Sequence, residues 1–209
     1  MRCRPPRCAS CFERGRSLGE AAGQEHGLLA LGEVGIGNTT VAAALAAVLL
    51  DVAPPEVVGL GAGADTAMLA RKAEVVAVTV TRLERTRGGE PLSAEEALAC
   101  AGGPEFCVLA GAVLGAASVN AVTVLDGLAT SVAALVAVRM EPGASAYLIA
   151  GQRSRERGHD LVLDHLGLEP LLDLRVRAGE GVGAALAASM MISGLMAEDE
   201  RSGSPATAG

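Results

Sequence analysis

The sequence predicts an α/β fold, a parallel sheet with helices on both faces, and three observations carry that prediction. Short, wholly apolar segments alternate with longer stretches of helical character. Glycine-rich turns stand where an apolar segment hands over to a helix. Half of the 209 residues are hydrophobic while aromatic residues make up only 1%, so the core must be assembled from Ala, Val, Leu and Ile around close backbone contacts. Strands covered on both faces read as continuous apolar runs rather than as alternating ones, which gives a Rossmann-like parallel sheet. The length favours one domain, or one with a small appendage.

Residues 1–13 are basic and cysteine-bearing and lack the apolar run of a secretory signal, so they read as a disordered leader. Cys8 and Cys11 have a CxxC spacing, but no second Cys/His pair stands at zinc-finger distance. Residues 15–26 predict a helix with Leu18, Ala21 and Ala22 on one side, followed by a strand at 28–31. Further strands are expected at 56–59, 121–125 and 146–149. Helices are expected over 40–50, 66–83, 93–101, 105–117, 128–138 and 184–196. The polar stretch 82–93, with Gly88, Gly89 and Pro91, reads as a surface connection. The apolar region 108–140 is broken by Asn120, Asp126 and glycines, so a buried helix–strand–helix unit explains it better than a membrane span. Cys100 and Cys107 lie in apolar surroundings and read as buried thiols of a cytosolic protein. Residues 199–209, rich in Ser, Gly and Ala, read as a disordered tail. A formal charge of −7, with no basic cluster beside stacking aromatics, argues against a nucleic-acid partner.

Right-handed crossovers would gather the loops after each strand along one carboxyl edge, where open α/β sheets bind ligands. Four of those loops carry candidate chemistry. In GEVGIGNTT, residues 32–40, the glycines allow close backbone approach and the amides at the following helix start can hold a phosphate. The spacing imitates a P-loop with Asn38 where the lysine would stand, which favours a single phosphate over a triphosphate and argues against a P-loop-like nucleotidase. The plainer alternative is a tight turn with an Asn/Thr helix cap. The turn GLGAGAD at 59–65 opens a helix bearing Arg71 and Lys72, and could wall the same edge. Asp126, before Gly127, could bind ribose hydroxyls from a strand end, or could cap the helix that follows it. Glu180, between glycines in AGEGVG at 178–183, could approach a ligand as a general base; taken alone, the favoured reading is a solvated loop Glu.

In this order these segments resemble the nicotinate-nucleotide:dimethylbenzimidazole phosphoribosyltransferases: GEVGIGNTT at 32–40, LARK at 69–72, VLDG at 124–127, YLIAGQRS at 147–154 and LGLEPLLDLRVRAGEGVGAALA at 166–187. The similarity runs collinearly from about residue 14 to about residue 196, which makes 14–198 the phosphoribosyltransferase domain. The resemblance implies transfer of phosphoribose from nicotinate mononucleotide to 5,6-dimethylbenzimidazole, giving α-ribazole 5′-phosphate and nicotinate. It implies that Gly35, Ile36, Gly37 and Asn38 line the phosphate, that Glu180 is the base, and that Glu33 is a second functional carboxylate. Gly61, Lys72, Asp126, Gly127 and Ser154 would help place the nucleotide. It further implies a cytoplasmic homodimer that needs no metal or cofactor and no membrane. Three departures touch the site: Gly61-Ala62-Gly63 replaces GTG, Gly151-Gln152 replaces Ser-His, and Ala178 replaces a larger apolar residue. Family members also carry a substantial N-terminal portion that contributes to the benzimidazole pocket and a small helical subdomain. Without that portion, the alternative reading is a non-catalytic nucleotide-binding remnant.

Overall fold

The computed structural model describes residues 5–59, 66–87, 92–175 and 179–203. The chain runs through α1 (Pro5–His26), β1 (Leu28–Ala30), α2 (Asn38–Leu50), α3 (Pro54–Val57), α4 (Thr66–Arg87), α5 (Ala94–Ala101) and α6 (Pro104–Ser118). It continues through β2 (Val122–Leu125), α7 (Leu128–Met140), a 3₁₀ turn (Pro142–Tyr147), β3 (Leu148–Ala150), α8 (Gly158–Leu166) and α9 (Val182–Gly203). The three strands form one parallel sheet in the order β1-β2-β3, with Leu28 opposite Val122 and Thr123 opposite Leu148. Successive side chains leave a strand on opposite faces. Val124 accordingly joins Ala184, Ala187 and Ala188 of α9 on one face, while Leu125 and Leu148 join the main core with α2, α6 and α7 on the other. The expected α/β sheet with helices on both faces is present, with helix far outweighing strand.

Small residues set the packing. Ala42 to Ala47 of α2 and Val132 to Ala137 of α7 are buried without interruption, the pattern of helices enclosed on every side. α1 lies along α6, and the two backbones touch. A β-carbon on Gly115 would fall 2.0 Å from the Arg16 carbonyl oxygen. Gly115→Val should therefore force the helices apart and cost about 3 kcal/mol or more, read as a lowered denaturant midpoint; an unchanged midpoint would mean that the α1–α6 contact does not hold the fold.

Four expectations change. Residues 5–13 are not a disordered leader but the first turns of α1, because Cys8 is buried and Phe12 partly buried against the core that α6 shares. The Cys8 and Cys107 sulfurs lie 2.8 Å apart, so the CxxC spacing reflects helical register; Cys100, expected to be buried, is half-exposed. Residues 56–59 are not a strand: Pro54 and Pro55 fix helical φ at the start of α3, and the Glu56 carboxylate accepts from the Ala53 amide at 2.9 Å. α9 runs to Gly203, past the expected end at 196 and into the expected tail, with an ion pair between Glu198 and Arg201 one turn apart. α8 was not expected, since its buried Val162, Leu163 and Leu166 span too short a run to show a period.

α9 is long and apolar enough to cross a membrane by length and composition, yet only 22% of its apolar window is buried. Leu186, Met190, Leu195 and Met196 stand exposed along it.

Candidate functional site

All three strands end at one edge, and the segments that leave them line a common cavity of about 250 Å³. Glu33, Val34, Gly35, Asn38 and Thr39 reach it from the β1–α2 connection, and Asp126 and Gly127 from the β2–α7 connection. Gln152, Ser154, Arg155 and Glu156 reach it from the segment after β3, and Gly179 and Glu180 from the turn before α9. The N-termini of α2 and α7 both open here, and neither has a side-chain cap. Uncapped helix starts present unpaired amides and the positive end of the dipole, a ready anion site.

The turn into α2 is shaped by Gly37, whose φ of +82° suits glycine. Within it the Glu33 carboxylate folds back over its own loop, accepting from the Gly35 amide and from the Asn38 side chain. An anionic group thus already takes the Gly35 amide, one of those expected to hold a phosphate. Burial raises the Glu33 pKa above the usual carboxylate value, the Gly35 hydrogen bond pulls it back, and Glu105 adds a smaller push upward. The Asn38 carboxamide oxygen accepts from the Thr39 amide at 2.6 Å. Lys72, on α4, donates to the Thr39 hydroxyl at 2.9 Å, so its charge stands over the first turn of α2.

The turn carrying Glu180 is locked to the phosphate turn through the backbone. A β-carbon on Gly32 would lie 2.7 Å from the Gly181 α-carbon, so only glycine allows this approach. Glu180 itself has φ +61°, the left-handed region that side chains rarely adopt. What holds the turn is Asp126. Its Oδ1 accepts from the Gly183 amide at 2.8 Å, the Ala184 amide at 3.3 Å and the Gln152 side chain at 3.2 Å. Its Oδ2 accepts from the Gly181 amide at 3.2 Å. Asp126 therefore caps α9 rather than its own helix, whose start is tied instead by the Thr130 hydroxyl accepting from the Asp126 and Gly127 amides at 2.9 and 3.1 Å.

Behind the wall, His159 is 1% exposed. Its Nδ1 accepts from the Ser154 amide at 2.9 Å, which leaves the proton on Nε2 to be donated to the Ser131 hydroxyl at 3.0 Å. Burial first, then the Arg153 charge, pushes its pKa from 6.5 down to about 4. An unfolded histidine binds its proton near 6.5 and the folded one only near 4, so this contribution is complete above pH 6.5 and falls away as pH drops towards 4. Glu33 and Glu156, whose folded pKa values are raised, act with the opposite sign, since the folded state takes up their protons first. Comparing His159→Gln with the unsubstituted chain isolates the histidine. Between pH 7 and pH 5 the unsubstituted chain should lose about 2 kcal/mol more than the variant; equal losses would contradict the neutral buried imidazole.

Of the residues singled out in the sequence, the cavity brings together Glu33, Gly35, Asn38, Asp126, Gly127, Ser154 and Glu180. Lys72 joins through Thr39. Ile36 points outward, wholly exposed, and Gly37 shapes the turn without lining the cavity. Gly61 lies outside the described residues, as do Ala62, Gly63 and Ala178. Sequence reasoning did not single out Glu156, Arg155 or Thr130; the position of Glu156 just past a strand's carboxyl end was the available signal.

Fold and site together define a class: an α/β protein with a cavity between helix N-termini at the carboxyl edge of a parallel sheet, lined by carboxylates. The chain belongs to the phosphoribosyltransferase family, whose profile matches residues 4–202. It is 43% identical over 180 residues to the nicotinate-nucleotide–dimethylbenzimidazole phosphoribosyltransferase of Bradyrhizobium diazoefficiens, covering 86% of this chain and 50% of that protein. It is 45% identical over 183 residues to the enzyme of the same name from Pseudomonas putida, covering 87% and 51%. Among solved structures, CobT from Thermus thermophilus superposes with a TM-score of 0.85 at 40% identity, covering 91% of this chain and 56% of that one. The chain spans about half the length of the curated relatives it matches.

Proposed function

We propose that the chain carries the nucleotide-binding and base-catalytic part of a nicotinate-nucleotide:dimethylbenzimidazole phosphoribosyltransferase, in assembly of the lower ligand of cobalamin. The observation that carries the reading is the placement of Glu180 on the same cavity as the Gly35–Asn38 turn, two segments held together at Gly32 and Gly181. The 5′-phosphate of nicotinate mononucleotide displaces the Glu33 carboxylate from the Gly35 amide and the Asn38 side chain and settles at the start of α2, with Lys72 beside it. The unprotonated benzimidazole nitrogen attacks the anomeric carbon, and the proton on the other ring nitrogen passes to Glu180. The bond from that carbon to the nicotinate ring breaks, and its electron pair neutralises the pyridinium nitrogen. A base close to the N–H strengthens the nucleophile as the new bond forms. Glu33, once displaced, stabilises the positive character left on the sugar. Attack on the face opposite the leaving group converts a β-linked nucleotide into the α-linked product.

The test is incubation of the purified chain with nicotinate mononucleotide and dimethylbenzimidazole. Release of nicotinate with appearance of α-ribazole 5′-phosphate is expected. Nucleotide binding without turnover would contradict the transferase reading and favour a non-catalytic remnant. Lys72→Met is expected to raise KM for the nucleotide about tenfold with a smaller change in kcat, the loss of one charge-assisted contact; an unaltered KM would remove Lys72 from the phosphate site.

The same reading makes the protein a cytoplasmic homodimer. The exposed Leu186, Met190, Leu195 and Met196 of α9 supply an apolar surface of the kind that obligate interfaces bury. Sedimentation at increasing concentration should give a dimer, and a monomer throughout would exclude it.

A further inference from the structure

Among the described residues four carboxylates line the cavity, and three are accounted for. Asp126 is occupied by three backbone amides and the Gln152 side chain. Glu33 is occupied by the Gly35 amide and Asn38, and Glu180 stands exposed at the rim as the proposed base. Glu156 is left. It is 8% exposed, and among the described residues no donor is hydrogen-bonded to its side-chain oxygens. Glu156 precedes α8, where an acidic side chain commonly caps the helix, but α8 has no side-chain cap. Its burial is therefore not explained by helix capping.

Glu156 lines the cavity, and a carboxylate there with no donor among the described residues can accept hydrogen bonds from a ligand. Two observations say which ligand. Glu156 lines the same cavity as Asn38 and Thr39 at the start of α2, and Lys72, which donates to Thr39, draws the Glu156 pKa down against the larger upward push of burial. Glu156 thus neighbours the phosphate end of the cavity without touching the amides that would hold the phosphate. In a 5′-mononucleotide the group joined to the phosphate is a pentose, whose adjacent 2′ and 3′ hydroxyls are paired donors that two carboxylate oxygens can accept.

We propose that Glu156 is the specificity residue for the ribose, accepting hydrogen bonds from its cis-diol and so selecting ribonucleotides over deoxyribonucleotides. The inference rests on the nucleotide reading of the pocket but assigns to Glu156 the role that sequence pattern offered to Asp126. It needs no covalent step.

The experiment measures binding of nicotinate mononucleotide and its 2′-deoxy and 3′-deoxy analogues by calorimetry. It uses the whole chain, unsubstituted and as Glu156→Gln and Glu156→Ala; the Gln variant retains the side-chain shape should Ala perturb folding. The unsubstituted chain should bind at least one deoxy analogue about ten- to a hundredfold more weakly than the ribonucleotide, as loss of a hydrogen bond to a charged group requires. In Glu156→Ala that ratio should shrink towards one, since removing the acceptor and removing the donor delete the same contact; Glu156→Gln, which retains one uncharged accepting oxygen, should give a ratio in between. Equal ratios in all three proteins would overturn the role of Glu156 while leaving the transferase reading intact. No discrimination by the unsubstituted chain would overturn it too, and no nucleotide binding at all would overturn both.

Discussion

Replacing Glu180 with glutamine should cut turnover sharply and leave the nucleotide bound. The substitution keeps the shape of the side chain and the strained turn beneath it while removing the proton acceptor. A positioned general base contributes about a hundredfold to ten-thousandfold to such a step, and kcat should fall by that factor. Nucleotide affinity should stay within about twofold, because the proposed phosphate site, at the start of α2 beside Lys72, consists of groups that do not contact Glu180 in the described hydrogen bonds. Single-turnover assays with titration of nicotinate mononucleotide check both halves. A variant that turns over normally would remove Glu180 from catalysis; one that loses binding instead would make it a nucleotide ligand.

The second large effect is expected at Asp126. Asp126→Ala strips the Gly181, Gly183 and Ala184 amides of their acceptor at the start of α9. Three buried or part-buried donors left unsatisfied, together with loss of a negative charge at a helix N-terminus, should cost about 3 kcal/mol or more. The turn carrying Glu180 should loosen with them, so turnover falls even under conditions where the chain stays folded. Asp126→Asn, which retains one accepting oxygen, should lie between. Denaturant midpoints for the three proteins check the order. A stable Asp126→Ala chain that only binds nucleotide more weakly would return Asp126 to the ribose.

The two substitutions show where sequence reading reaches and where it stops. The Gly35–Asn38 turn and Glu180 were legible because glycines between a strand and a helix carry their geometry locally, and the resemblance named their roles. Asp126 was legible as a carboxylate at a strand end but not as a cap of α9, because the amides it holds lie 55 to 58 positions further along. Only packing brings them together. Glu156 carries no local signal beyond its place after β3; what marks it is the absence of donors around a buried group, among the described residues, a property of the folded wall. The core behaved similarly. A chain with 1% aromatic residues announces close backbone contact, and Gly115 against Arg16 is that contact, but which helices would meet was not written in either segment. α3 shows a local rule that was available and outweighed: apolar residues 57 and 58 suggested a strand, while the two prolines before them start a helix.

The proposed function also asks two positions of Glu33. In this structure it accepts from the Gly35 amide and the Asn38 side chain; on the proposed reading it leaves them when phosphate arrives, which would couple binding at one end of the nucleotide to the arrival of a carboxylate near the other.

A crystal structure of the chain soaked with nicotinate mononucleotide tests this account most directly. The account predicts the phosphate on the amides between Gly35 and Thr39, the Glu33 carboxylate swung away from them, and the anomeric carbon facing Glu180 across the cavity. A phosphate bound elsewhere, or a sugar whose anomeric carbon faces away from Glu180, would contradict it.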